Sequence, residues 1–156
     1  MGIISPKKFK NISKASIALL LIVLSPILII VVFLYILWGA ILYIAIWLTW
    51  KKEFVLFVYS NSPIWKAYIE SEIIPHIQNQ AIILNWSERK MWKLSLPVLA
   101  FRYFGKDRNF NPIGIVFRPF RFVKTYRFYE PFREFKHGDP RRVEKLKGEF
   151  FEILGI

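Results

Sequence analysis

The chain has no cysteine, two histidines, and 11 acidic residues against 23 basic ones. Each shortage removes a class of chemistry. Without cysteine there is no disulfide framework, no thiolate nucleophile, no Cys-ligated zinc or iron–sulfur site and no dithiol redox cycle. His76 and His137 are the only histidines, and neither has a partner at metal-ligand spacing. Walker-type glycine loops, G-x-S-x-G and paired-carboxylate motifs are missing as well. No catalytic residue, metal or cofactor is therefore expected.

What is present is apolar and aromatic: 54% of the 156 residues are hydrophobic, with 15 Phe, 7 Tyr and 6 Trp. Disordered basic tails are poor in such residues, so the net charge of +12 sits on a chain that can pack. Residues 1–50 carry four lysines and no acid, and residues 51–156 carry 19 basic and 11 acidic groups. Both parts are basic.

From Ala15 to Trp50 there are 36 consecutive uncharged residues. A membrane-spanning helix needs about 20. A cleaved signal peptide has a shorter apolar core, of roughly 7–15 residues, and a small-residue cleavage site that is missing here. The sequence thus predicts a basic tail (1–14), a membrane segment (15–50) and a small basic domain (53–156). In the membrane segment Ile17–Leu37 is almost purely aliphatic, whereas Trp38, Tyr43, Trp47 and Trp50 suit the headgroup zone. One kinked spanning helix with an interfacial extension fits this pattern, the alternative being a hairpin broken at Ser25–Pro26 or Gly39. Lysines flank both ends, so the positive-inside rule nearly cancels. The charge of the following domain tips the expectation toward the cytoplasmic side, where anionic lipid attracts basic groups.

Beyond Lys52 the pattern alternates between strand and helix. Glu53–Tyr59 (EFVLFVY) reads as a strand ending in the turn Ser60-Asn61-Ser62-Pro63, and Ile64–Gln78 as an amphipathic helix trimmed by Pro75. Ala81–Trp86 (AIILNW) reads as a buried parallel strand and Met91–Phe104 as a helix stopped by Gly105. Ile113–Phe117 and Phe122–Tyr129 then form a hairpin across Arg118–Arg121, and Asp139-Pro140 opens a final helix through Leu154.

The order β-α-β-α-β-β-α resembles the thioredoxin-like fold. Asn61-Ser62-Pro63-Ile64 stands where that family has its C-x-P-C turn, and Pro112 where it has a cis-proline before the third strand. The resemblance implies an α/β domain without the family's redox activity, since Asn61 and Ile64 replace the cysteines. The opening FVLFVYSNSPIWKAYIESEIIPHI also resembles the start of Toll/interleukin-receptor-like domains, which implies a five-stranded parallel sheet instead.

Two groups of residues are candidate sites. Ser60, Asn61, Ser62 and Pro63, with Asn85, Ser87 and Pro112, would gather hydroxyls and amides at the strand ends, where open α/β sheets bind ligands. Plain helix capping explains the same serines and asparagine. Arg118, Arg121, Lys124, Arg127, Arg133 and Lys136 interleave with Phe and Tyr, a composition suited to anionic lipid or a protein partner ahead of nucleic acid, and also to an ordinary half-buried hairpin. The expected function is a membrane-anchored, non-redox binding or scaffold module acting on a protein partner or anionic lipid. The alternative is a membrane-tethered enzyme or nucleotide-sensing domain with its pocket at the strand C-terminal ends.

Overall fold

The computed structural model describes residues 14–50, 54–106 and 111–156, with side chains from residue 21 onward. The basic tail up to Asn11-Ile12-Ser13, the Lys51–Lys52 pair and most of the loop after Lys106 lie outside the described residues. The chain divides into two compact units, 1–38 and 39–156.

The first unit consists of most of one long helix, α1 (Lys14–Thr49). Every residue from Leu21 to Trp38 is exposed, so this stretch of α1 is apolar on all sides and no described residue covers it. The helix runs through Pro26. Proline cannot donate to the carbonyl four residues back, and here the Ser25 hydroxyl donates to that Ile22 carbonyl instead, at 2.8 Å. The polar group freed by the proline is thereby satisfied inside the helix. Leu21–Thr49, with a mean hydropathy of 2.9, is the one helix among the described residues that is long and apolar enough to cross a membrane.

The second unit is a mixed four-stranded sheet with helices on both faces. Its elements are β1 (Val55–Tyr59), α2 (Lys66–Glu72), α3 (Ile74–Ile77), β2 (Ala81–Asn85), a 3-10 turn (Trp86–Glu88), α4 (Leu96–Phe104), β3 (Ile113–Val116), β4 (Lys124–Arg127), α5 (Tyr129–Phe135) and α6 (Arg141–Leu154). The strands lie in the order β2-β1-β3-β4. β1 and β2 are parallel, with Tyr59 opposite Asn85, and β3 is antiparallel to both of its neighbours, with Val58 opposite Ile113 and Ile113 opposite Arg127. This sheet departs from the five parallel strands that the Toll/interleukin-receptor-like resemblance implied.

Alternation along β1 sorts the core into two layers. Val55, Phe57 and Tyr59 meet Trp65, Ile69, Ile73, Phe128, Phe132, Val143 and Phe150 from the helices α2, α3, α5 and α6 and their flanks. Leu56 and Val58 point the other way, toward Ala100 and Phe101 of α4 and toward Ile46. Ile46 belongs to the last turns of α1. Gly39, Leu42 and Ile46 are buried at helical spacing, so the end of the apolar helix is part of this core. Gly114 completes the first layer: a Cβ there would stand 2.8 Å from the Phe150 ring, which only glycine avoids.

Several sequence-based boundaries are corrected. The helix expected at Met91 starts at Leu96, because Pro97 occupies its first turn rather than its interior. Pro75 likewise sits in the first turn of α3, which breaks the expected long helix in two. The fourth strand covers only Lys124–Arg127 of the expected Phe122–Tyr129, and Tyr129 instead opens the helix α5, whose Tyr129, Phe132 and Phe135 recur every three residues. At the head of α6 the Asp139 carboxylate accepts from the Arg141 side chain at 2.8 Å and from its backbone N–H at 3.1 Å. Those hydrogen bonds hold the carboxyl down at about 2.

Candidate functional site

The first group of candidate residues stays together in the fold, and the second does not. The first gathers at the C-terminal ends of β1 and β2, which the parallel register brings side by side. The Asn61 backbone N–H donates to Ser87 Oγ at 2.9 Å, Asn85 Nδ2 donates to Asn61 Oδ1 at 2.9 Å and to Glu88 Oε1 at 3.1 Å, and the Ser87 N–H donates to Asn85 Oδ1 at 3.0 Å. Ser60 Oγ accepts from Trp65 Nε1 at 3.3 Å, and Ser62 Oγ from the Ile64 N–H at 3.4 Å. Buried Pro112, preceded by a cis peptide bond, flanks the same end from the β3 side, its carbonyl accepting from the Phe128 N–H at 2.9 Å. The polar groups of this end largely bond one another, joining two strand ends and a turn. Next to them Tyr59 is raised above the usual phenol range by burial and by its hydrogen bond to Glu70.

The basic candidates separate. Arg127 donates to the Gly105 carbonyl at 3.1 Å, and Arg133 pairs with Glu130 at 3.4 Å on α5, where Lys136 stands exposed at the C-terminal end. Arg118, Arg121 and Lys124 stay together on and after the connection between β3 and β4. That connection leaves the sheet where β1 begins, since Val116 is opposite Val55.

The geometry of the connection follows from its sequence. Arg118-Pro119-Phe120-Arg121 forms a turn closed by a hydrogen bond from the Arg121 N–H to the Arg118 carbonyl at 3.2 Å. Proline suits the second position of such a turn, whereas the third position demands a positive φ when the turn is of type II. Phe120 occupies it with φ of 59°, where a bulky side chain is strained. The ring gains no burial in return: Phe120 is 91% exposed and Phe122 fully exposed. The turn is nevertheless anchored. Tyr43 of α1 donates its hydroxyl to both the Arg118 and the Arg121 carbonyls, the latter at 2.9 Å, and the Trp47 ring meets the Phe120 ring edge-on at 5.6 Å.

Beneath the turn is a cavity of about 550 Å3, walled by Tyr43, Trp47, Trp50, Phe54 and Phe117 and rimmed by Arg118 and Arg121. Trp50 packs edge-on against Phe117 at 5.5 Å, and the Arg118 guanidinium stands 6.0 Å over the Phe54 ring. Sequence reasoning named the arginines and missed this wall, having assigned Tyr43, Trp47 and Trp50 to the membrane segment alone. It also set Phe122 in a half-buried strand. The available signal was Arg-Pro-Phe-Arg, whose proline fixes a turn and pushes the next residue outward.

The chain matches no protein-family model, no curated protein and no solved structure.

Proposed function

We propose that the protein is a membrane-anchored, non-redox α/β module of thioredoxin-like topology that binds at the bilayer surface, with its globular domain on the cytoplasmic side. The observation that carries this reading is the turn at Phe120. A protein that holds two phenylalanines in water, one of them on a strained backbone, is spending stability on a contact outside itself. Arginines on either side of the rings match anionic headgroups, and the neighbouring Trp47 is of the residue type favoured at the membrane–water boundary.

The thioredoxin-like part is supported by the strand order, by the single antiparallel β3, by α2 and α6 sharing one face while α4 covers the other, and by cis Pro112 beside the end of β1. Its redox chemistry has no carrier, because Asn61 and Ile64 stand where the cysteines would be. Membrane insertion is supported by the uniform exposure of the apolar residues from Leu21 to Trp38 and by the capped carbonyl at Pro26, since lipid offers no hydrogen bonds to a freed backbone group.

The test uses the full chain with a tag at each end in sealed vesicles of known sidedness. The protein is expected to resist carbonate extraction, with the C-terminal tag cleaved from the cytoplasmic side and the N-terminal tag protected. Release by carbonate, or both tags on one side, overturns the single-span reading. A melting shift with one nucleotide that Asn85→Ala abolishes would move the function to the opposite end of the sheet.

A further inference from the structure

We infer that the cavity under the Arg118–Arg121 turn is a binding site for one anionic phospholipid, whose phosphate meets the two arginines while part of an acyl chain lies against Tyr43, Trp47 and Trp50. The inference rests on the membrane-surface reading and adds to it a specific ligand. Size is the first reason. About 550 Å3 falls within the roughly 300–1,000 Å3 of small-molecule pockets. Chemistry is the second: the wall is largely aromatic, and among the described residues the only charged groups lining it are the guanidiniums of Arg118 and Arg121, with no carboxylate paired to either. Two guanidiniums over an aromatic wall select a ligand that is anionic at one end and apolar at the other, since guanidinium matches phosphate geometry with paired donors.

Placement is the third reason. The cavity's wall includes the last turns of the apolar helix itself, so a bilayer that holds this helix delivers lipid to the mouth of the cavity. A second apolar recess of about 350 Å3, lined by Tyr43, Phe104, Phe120 and Phe122, adjoins the first across Tyr43 and Arg121. Exposed Phe120 and Phe122 would then enter the headgroup layer beside the bound lipid.

Native mass spectrometry of the full chain, released from zwitterionic detergent, tests this with three probes: dioleoylphosphatidylglycerol, dioleoylphosphatidylcholine and inorganic phosphate. A one-to-one adduct is expected with phosphatidylglycerol alone. Because the Arg118 and Arg121 carbonyls, not their side chains, hold the turn to Tyr43, the double variant Arg118→Gln/Arg121→Gln keeps the fold. It should lower the adduct by about a hundredfold, about tenfold for each charge-assisted hydrogen bond lost. Arg133→Gln/Lys136→Gln removes the same charge elsewhere and should leave the adduct intact.

Equal adducts with both lipids, an adduct with inorganic phosphate as strong as with phosphatidylglycerol, or equal losses in the two double variants would each overturn the site. Carbonate extraction separates this failure from that of the anchoring itself. A chain that resists carbonate yet forms no adduct loses the lipid site and keeps its anchor, whereas a chain stripped by carbonate loses the anchor and the adduct in micelles still decides the cavity.

Discussion

Phe120 couples two quantities that ordinarily move together, the stability of a turn and the burial of its side chain. Its φ of 59° is glycine territory, and its ring is 91% exposed, touching Trp47 on one edge. A left-handed residue with a Cβ costs about 1–2 kcal/mol relative to glycine. Comparing Phe120→Gly with Phe120→Ala separates the two effects. Both remove the ring, and only alanine keeps the backbone cost. The glycine variant is expected to melt above the alanine variant by the equivalent of about 1 kcal/mol, while both lose association with anionic nanodiscs to the same extent. Equal melting would mean that the turn relaxes without cost, and undiminished nanodisc binding would remove the ring from any membrane role. At this scale the sequence was only partly legible. Arg118 and Arg121 declare themselves by charge, but whether a phenylalanine points in or out depends on the turn's third position, and sequence alternation around Phe122 suggested the wrong answer.

At the scale of elements, α1 has two environments that its sequence hides. A helix that is apolar at nearly every position has no periodicity to show which side meets protein, so the sequence divides residues 15–50 into a spanning part and an interfacial extension and shows no protein-facing side. The buried positions Gly39, Leu42 and Ile46 become visible only in the folded domain, where Tyr103 of α4 meets Gly39 and residues of the sheet pack with Ile46. Ile46 is 2% exposed and packs with Leu56, Val58, Phe101 and Ile115, while Ile44 is 50% exposed. Ile46→Ala should therefore destabilise the folded domain by about 2–4 kcal/mol, in the range of buried isoleucine truncations, and Ile44→Ala by less than about 0.5 kcal/mol. Chemical denaturation of the full chain in detergent, followed by near-UV circular dichroism, measures both. Similar small effects at the two positions would show that the end of α1 is not part of the domain core. The strands were legible for the opposite reason. EFVLFVY and AIILNW are short apolar runs between turn residues, and both strands lie within those runs. The short helix α5 was not, since seven residues give under two turns of pattern and they follow directly on the strand-like run FVKTYRFY.

For the whole molecule, antiparallel pairing of β1 and β3 puts the Phe120 turn and the Asn61–Asn85–Ser87 network at opposite ends of β1. The turn after β3 sits at the start of β1, next to Trp47 and Trp50, and the Asn61–Asn85–Ser87 network sits at the end of β1. Five residues of strand separate the two ends by about 16 Å. If Phe120 and Phe122 lie in the headgroup layer, the network at the other end faces away from it and stays in water, free to meet a soluble partner. Hydrogen–deuterium exchange of the full chain in nanodiscs reads both ends at once. Backbone amides of 118–123 are expected to exchange more slowly in discs containing phosphatidylglycerol than in discs of phosphatidylcholine alone, and those of 60–62 and 85–88 to exchange equally in both. Raising the salt to about 1 M shortens the Debye length to roughly 3 Å and should erase the difference at the turn, because Arg118 and Arg121 act at the surface. Protection that persists at high salt would assign the contact to the phenylalanines alone. Protection of both ends, or of the 60–62 end only, would mean that the sheet lies on the bilayer in another orientation and that the Phe120 turn is not what seats it.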